Sequence, residues 1–562
     1  MRSNPPFFRD RATIELIDHV AQTKELCIFA GAGVTITRTG LDWRGMIQAL
    51  VPAELRSLVV AQHLGELFTD SQSATVLVEM YKSLAVDDEM AGRLLRAELR
   101  RLLYRNGQWL AGPLTERIAN LVTVRDLSGQ YSSILTTNFD TYIERSIAAR
   151  KLLLDASAVQ LRRWTRTALP TDALAVHGNR QLALHNQSAG VDMVYLHGFL
   201  DDLDEGEVAT SLDGTSTEGR STFNNELEPN ELDPVLAEDN FARSAVDTER
   251  MLTSALAKMP ALFLGTSLTD QPVLRSLLSS LGGADGKEGI RPRHSRWAIM
   301  PLQPLAGRLK REEDQNEYVR LQRLRLRHFG VEGVFPDFYI QVSQFVEEVT
   351  LATHLQSGAY SAPGYEGTYS RRLSAWWHAW LLSRRTSQEF VDAQSRDHDR
   401  LVQTLERVRD SLRFGQADEQ FKLEVWIRWA PSSLSRALRL WASSAGTLAG
   451  AHVMRSGAID GLSKYAAIQT FCSGRPLLLP NDNAGSRWKT YLAQPIYQTI
   501  EIAGLTPAVG RAHFPVGVIA LGSDSDRPES ALKNWNQGGH AAALQLMHNV
   551  GEEITNALPE ST

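Results

Sequence analysis

At 562 residues the chain is long enough for two or three domains with sizeable cores, and a hydrophobic share of 43% suits a soluble globular protein, not a fibre or tail. A net charge of −6 offers no general attraction for nucleic acid, no apolar run approaches the ~20 residues of a membrane span, and the amino terminus lacks a signal peptide's apolar core. Two distant cysteines, Cys27 and Cys472, fit a reducing cytoplasm, so we expect a cytoplasmic protein with no membrane partner.

In chain order, Leu26-Cys27-Ile28-Phe29-Ala30 reads as a buried strand that leads directly into Gly31-Ala32-Gly33-Val34-Thr35. Glycines at 31 and 33 would let the backbone approach a phosphate, and residues 42–51 have the spacing of a helix that could follow the loop. The usual dinucleotide fingerprint, three glycines and a ribose-binding acid about twenty residues on, is absent in that form. By itself a Gly-Ala-Gly turn after a strand is equally a plain tight turn. Between Asp70 and Leu127 the periodicity is helical, best over 74–84 and 90–104, which predicts a small helical insert.

Three further strand-to-loop junctions follow. Ser133-Ile134-Leu135 runs into Thr136-Thr137-Asn138-Phe139-Asp140, with a helix expected over 142–149. Met193-Val194-Tyr195-Leu196 runs into His197-Gly198, and Ala261-Leu262-Phe263-Leu264 into Gly265-Thr266-Ser267-Leu268-Thr269-Asp270. In an open parallel sheet all four loop starts can face one crevice. His177-Gly178, after the weaker apolar run 173–176, competes with His197 for the same role. Asn138 and Asp140 suit capping of the next helix, as Asp270 suits the helix starting near Pro272; capping and chemistry are compatible.

The acid-rich stretch 201–239 reads as a partly ordered insertion, either a solvated loop or a lid beside the histidine. Residues 308–327 read as a solvated amphipathic helix and 356–368 as a linker. Beyond it, 376–412 holds two long helical stretches and 423–429 alternates like a strand. A helix is expected over 435–441, a helix ending in a short strand over 467–479, strands over 491–502 and 514–521, and a closing helix over 540–558. The tryptophans at 376, 377, 380, 426 and 429 suit core or helix-interface anchors.

The ordered set of Gly31-Ala32-Gly33, Asp42-Trp43-Arg44, Thr136 to Asp140, His197-Gly198 and Gly265 to Leu268 resembles the sirtuin superfamily, whose members carry matching motifs in this order. The resemblance covers about residues 10–345, with His328-Phe329-Gly330-Val331 similar to the lead into the closing strand. It implies a Rossmann-like α/β domain over 10–350, with the helical insert at about 70–127 and the acidic insertion at about 201–239. Connecting helices then span 351–420. The order of elements after 421, a Pro-Ile strand paired with a Pro-Val-Gly-Val-Ile strand and a terminal helix, resembles the GAF fold and implies a smaller α+β sensor or assembly domain to residue 562.

Deacylating sirtuins carry four cysteines that hold a structural zinc; two cysteines in all imply no such zinc here and weaken the case for an acyl-lysine substrate. The loop lacks the proline before Asp42, and Trp43 stands where Phe is usual. Both departures resemble bacterial sirtuin-like NAD hydrolases that act as effectors in defence against phage. That resemblance implies cleavage of the nicotinamide–ribose bond of NAD, with Asn138, His197 and Asp140 catalytic. Gly31, Ala32, Gly33, Val34, Thr35, Asp42, Trp43, Thr137, Gly265, Thr266, Ser267 and Asp270 would then bind NAD. Its other implied partners are an activating ligand or protein trigger and further copies of the chain. A protein deacylase and a silent NAD or ADP-ribose sensor are the alternatives.

Overall fold

The computed structural model describes residues 7–39, 42–58, 63–104, 113–153, 161–165, 190–197, 200, 238–281, 295–303, 309, 311–355, 368–382, 384–412, 418–429, 437–446, 454–460, 463–481, 485–501, 511–527, 530–532 and 540–556. His177-Gly178, Gly198, the acid-rich 201–237 and the 356–367 linker lie outside them. The chain divides into two compact units: Val20–Met300 with Glu317–Phe335, and Met1–His19 with Pro301–Asn316 and Pro336–Thr562.

The first unit is built on seven parallel strands: β1 (Glu25–Ala30), β2 (Tyr131–Thr136), β3 (Leu161–Thr165), β4 (Gly190–Tyr195), β5 (Ala261–Leu264), β6 (Arg296–Ile299) and β7 (Glu332–Val334), in the order β3-β4-β2-β1-β5-β6-β7. The chain runs outward from β1 through β2 to the edge strand β3, returns to place β4 between β2 and β3, then crosses back to add β5 on the opposite side of β1. The gap between β1 and β5 is therefore the topological switch point, where open α/β sheets bind their ligands. Register brings the strand ends level: Ala30 pairs with Thr136 and Leu264, and Thr136 with Tyr195.

Burial explains why these strands are legible and others are not. β1, β2, β4 and β5 are buried almost throughout, as a parallel sheet covered on both faces requires. β3, with the sequence Leu-Arg-Arg-Trp-Thr, carries no apolar run. β6 opens with Arg296, a buried cation whose guanidinium donates to the carbonyls of Leu256, Leu277 and Ser280 at 3.2–3.3 Å. Arg125 does the same near the starts of β1 and β2, donating to Thr23 O at 2.9 Å and Tyr131 O at 3.2 Å. Burial holds both guanidinium groups below their ordinary range and pushes the Cys27 thiol up, so Cys27 is a core residue in a strand, not a nucleophile.

The helical insert is present as Asp70–Leu84, started by a Thr69/Gln72 capping box, then Asp88–Tyr104 and Pro113–Leu127. The first two pack with the short helices Trp43–Ala49 and Leu64–Leu67 around a core that includes Leu77, Leu95 and Leu99 and reaches Phe139 and Tyr142. The insert thus grips the loop that follows β2.

The second unit holds a six-stranded antiparallel sheet of β8 (Phe421–Arg428), β9 (Ala437–Ser443), β10 (Ser456–Ala458), β11 (Leu477–Pro480), β12 (Thr490–Glu501) and β13 (Arg511–Ser523), in the order β10-β9-β8-β13-β12-β11. The expected Pro-Ile pairing is present: Pro495 faces Val518 and Ile496 faces Gly517, with a register shift just after. The helix expected over 435–441 is instead β9. Its leucines at 438 and 440 suit either period, and pairing with β8 selects the extended form. Helices Thr368–Leu382 and Ser387–Ser411 precede the sheet. Trp376 and Trp380 donate their indole hydrogens to Thr555 O (2.8 Å) and Ile554 O (3.1 Å), closing the last turn of the terminal helix His540–Thr555. Trp380 also stacks on Trp377 and meets Trp441 edge-on at 4.8 Å, so these rings are core anchors. Among the described residues no helix is long and apolar enough to cross a membrane.

Candidate active site

The loops after β1 and β5 interlock through backbone. Gly31 N donates to Leu264 O (2.9 Å) and Gly33 N to Gly265 O (2.8 Å). A Cβ at Gly31 would lie 2.6 Å from Gly265 O, and one at Gly33 would lie 2.8 Å from Gly265 Cα. Gly265 itself has φ +64, a left-handed conformation that suits glycine. The sequence pattern suggests glycines cleared for a phosphate, but the tertiary reason for them is the close approach of these two loops. Gly33→Ala should therefore cost ~1–3 kcal/mol or more by overpacking backbone against backbone. A thermal melt within 1–2 °C of the parent would show that the loops are not locked.

The helix expected over 42–51 is present as Trp43–Ala49, but the cradle before it is closed by its own hydrogen bonds and not left as open amides. Residues Ala32–Val34 form a 3-10 turn, Val34 N donates to Gly31 O (2.9 Å) and Thr35 N to Ala32 O (3.2 Å), and the short helix Ile36–Thr39 follows. Four of the loop's amides, those of Gly31, Gly33, Val34 and Thr35, are thus spent inside the fold, and Ala32 stands exposed at the tip. Asp42 caps the helix Trp43–Ala49, accepting from Gly45 N at 2.7 Å, and Trp43 packs towards Phe139 with ring centroids 6.3 Å apart. Both residues anchor the helical cluster.

Asn138 is the residue that ties the β2 loop to this cradle. Its Nδ2 donates to Gly31 O (3.1 Å) and Thr35 Oγ1 (3.4 Å), and its backbone N–H donates to Thr136 Oγ1, which in turn donates to Ala30 O. The amide is therefore oriented before any ligand arrives. Asp140, 4% exposed, accepts from Tyr142 N at 3.3 Å and so caps the helix Tyr142–Leu153; Thr137, just before Asn138, is half-buried.

His197 lies one residue past the β4 ladder, which Leu196 N extends by donating to Thr136 O at 2.9 Å. It is 4% exposed, and its Nε2 stands 3.6 Å from Asp270 Oδ2. Asp270 occupies the N-cap position of the helix Gln271–Ser279 but makes no cap hydrogen bond. The turn that delivers it is held firmly: Thr266 Oγ1 accepts from Leu268 N (3.1 Å), Ser267 and Thr269 share a hydroxyl bond (2.8 Å), and Arg325 donates to the carbonyls of Ser267 and Leu268. Leu268 has φ +50, a strained backbone for a leucine, and such strain gathers at functional loops.

One residue that the sequence pattern did not single out is Tyr104, the last of its helix. Its hydroxyl donates to Leu200 O (2.6 Å), lies 3.1 Å from Thr141 Oγ1 and accepts from Thr141 N (2.9 Å). It therefore joins the loop carrying Asn138 to the chain just past His197. Only its place at the end of an amphipathic helix was visible in sequence, and that carries no hint of a bridge between loops. Tyr104→Phe leaves a buried amide and a buried carbonyl without their hydroxyl, a loss of ~1–3 kcal/mol. Calorimetry reads it as a lower melting temperature, and an unchanged melt would refute the bridge.

A family model described as a SIR2-like domain matches residues 132–326. That span takes in Asn138, Asp140, His197 and the turn from Gly265 to Asp270, while the Gly31–Thr35 loop lies before it. The match supports NAD-related activity in general. No curated protein matches the chain.

Proposed function

We propose that the parallel-sheet unit hydrolyses NAD to nicotinamide and ADP-ribose. The observation that carries this reading is the pair of buried groups at the level ends of adjacent strands: Asn138, pre-oriented on the cradle, and His197, facing a carboxylate. Nicotinamide departure passes through an oxocarbenium-like transition state, which needs a held sugar, a placed nucleophile and a proton acceptor. With Nδ2 of Asn138 committed to Gly31 and Thr35, its Oδ1 is the acceptor offered to a water or a ribose hydroxyl. Water adds to C1′, the C1′–N bond breaks with its electron pair passing to the nicotinamide nitrogen, and the proton of the water passes to the His197 ring. Asp140 orders the loop that holds Asn138.

The second unit is read as a GAF-like sensor or assembly domain, supported by the Pro495–Val518 strand pairing and the terminal helix. An unrestrained NAD hydrolase would poison its own cell, so restraint by a ligand, a partner or oligomer state fits an abortive-infection effector that depletes NAD. The test is release of nicotinamide and ADP-ribose from NAD by the purified full chain, with and without lysate of phage-infected cells. Release that rises with lysate supports the reading. Nicotinamide formed only when an acylated peptide is added would move the reaction to deacylation, and binding of NAD with no turnover in any condition would leave a sensor.

A further inference from the structure

An aspartate at an N-cap normally turns its carboxylate onto the N–H of the second or third helical residue. Asp42 does so in this same unit, bonding Gly45 N at 2.7 Å. Asp270 does not, although it occupies the equivalent position on the helix Gln271–Ser279. Part of the reason is local: Pro272, the second residue of that helix, has no N–H to offer. The other part is the turn, whose carbonyls at Ser267 and Leu268 are pinned by Arg325 and whose Leu268 adopts φ +50. Released from capping, the carboxylate faces His197, with Oδ2 3.6 Å from Nε2.

We propose that Asp270 is the positioning residue for His197, and not one of the groups that hold the cofactor. A carboxylate beside Nε2 holds the ring in one orientation and faces the positive charge that develops when the ring takes a proton. The histidine side chain is 6% exposed and the aspartate's 32%, so the pair is only partly screened by solvent. The separation is longer than a hydrogen bond, as ligand-free catalytic contacts often are before substrate closes the site. This inference rests on the reading that His197 accepts the proton during NAD cleavage.

The test compares the full chain with Asp270→Asn, His197→Ala and the double variant, under whichever condition gives turnover. Asp270→Asn should lower kcat ~10- to 100-fold, the loss typical when an orienting partner is removed. The Kd for a carbocyclic NAD analogue, which cannot be cleaved, should stay within about twofold because the substrate is not what Asp270 holds. On the His197→Ala background the same substitution should cost nothing further in rate. A weaker Kd with unchanged kcat would make Asp270 a ribose-binding group and overturn the proposal. The ring nitrogen NMR shifts of His197, assigned by their loss in His197→Ala, should also differ between the parent and Asp270→Asn. Should the parent show no turnover in any condition, the cleavage reading falls and these shifts alone decide; unchanged shifts would sink the pairing.

Discussion

Replacing His197 by alanine is expected to lower NAD cleavage by ~10²- to 10⁴-fold, the contribution of a positioned general base, while the fold survives. The side chain lies beyond the end of β4, and the carboxylate that faces it, Asp270, is partly exposed and can be taken up by water. Asn138→Ala should be comparably damaging, because it removes the amide that joins the β2 loop to Gly31 and Thr35 as well as the acceptor offered to the substrate. Turnover measured beside a thermal melt separates the two roles. Full activity in both variants with unchanged melting would mean that the active site lies elsewhere.

A stability loss of ~3–5 kcal/mol is expected for Arg372→Ala in the second unit, because breaking a buried ion pair strands its other charge. Glu348 is 0% exposed on the helix Ile340–His354 and pairs with the Arg372 guanidinium; it also accepts from Gln344 Nε2 (3.0 Å) and Tyr369 N (3.1 Å). Taking away the cation leaves a carboxylate in a site that water does not reach. Denaturant unfolding followed by tryptophan fluorescence reads this unit, whose core holds Trp376, Trp377, Trp380 and Trp441. Adding Glu348→Gln to the variant should recover part of the loss. A change under ~1 kcal/mol in the single variant would show that the pair is screened like a surface bridge.

How far the sequence leads depends on what kind of information each element carries. β1, β2, β4 and β5 are legible because a parallel strand covered on both faces is a continuous apolar run, and such a run is local. β3 and β6 are not, since each contains arginine in place of a continuous apolar run; Arg296 of β6 is satisfied by buried carbonyls, and β3 is fixed by its pairing with β4. β9 carries apolar residues that fit two periods, and its partner β8 makes the choice.

The same division runs through the site. Sequence alone determined which residue types gather after the four central strands, because an amide, an imidazole and glycines at strand ends are a local pattern with a chemical meaning. Only the tertiary structure decided what each does first. Gly31 and Gly33 make room for Gly265, Asp42 caps a helix and Asp270 leaves its own helix to face His197. Tyr104 binds two loops that share no sequence neighbourhood with it. The physical reason is that hydrogen bonds and steric contacts reach only a few ångströms, so a role that depends on a partner far away in the chain is set when the sheet brings the loops together.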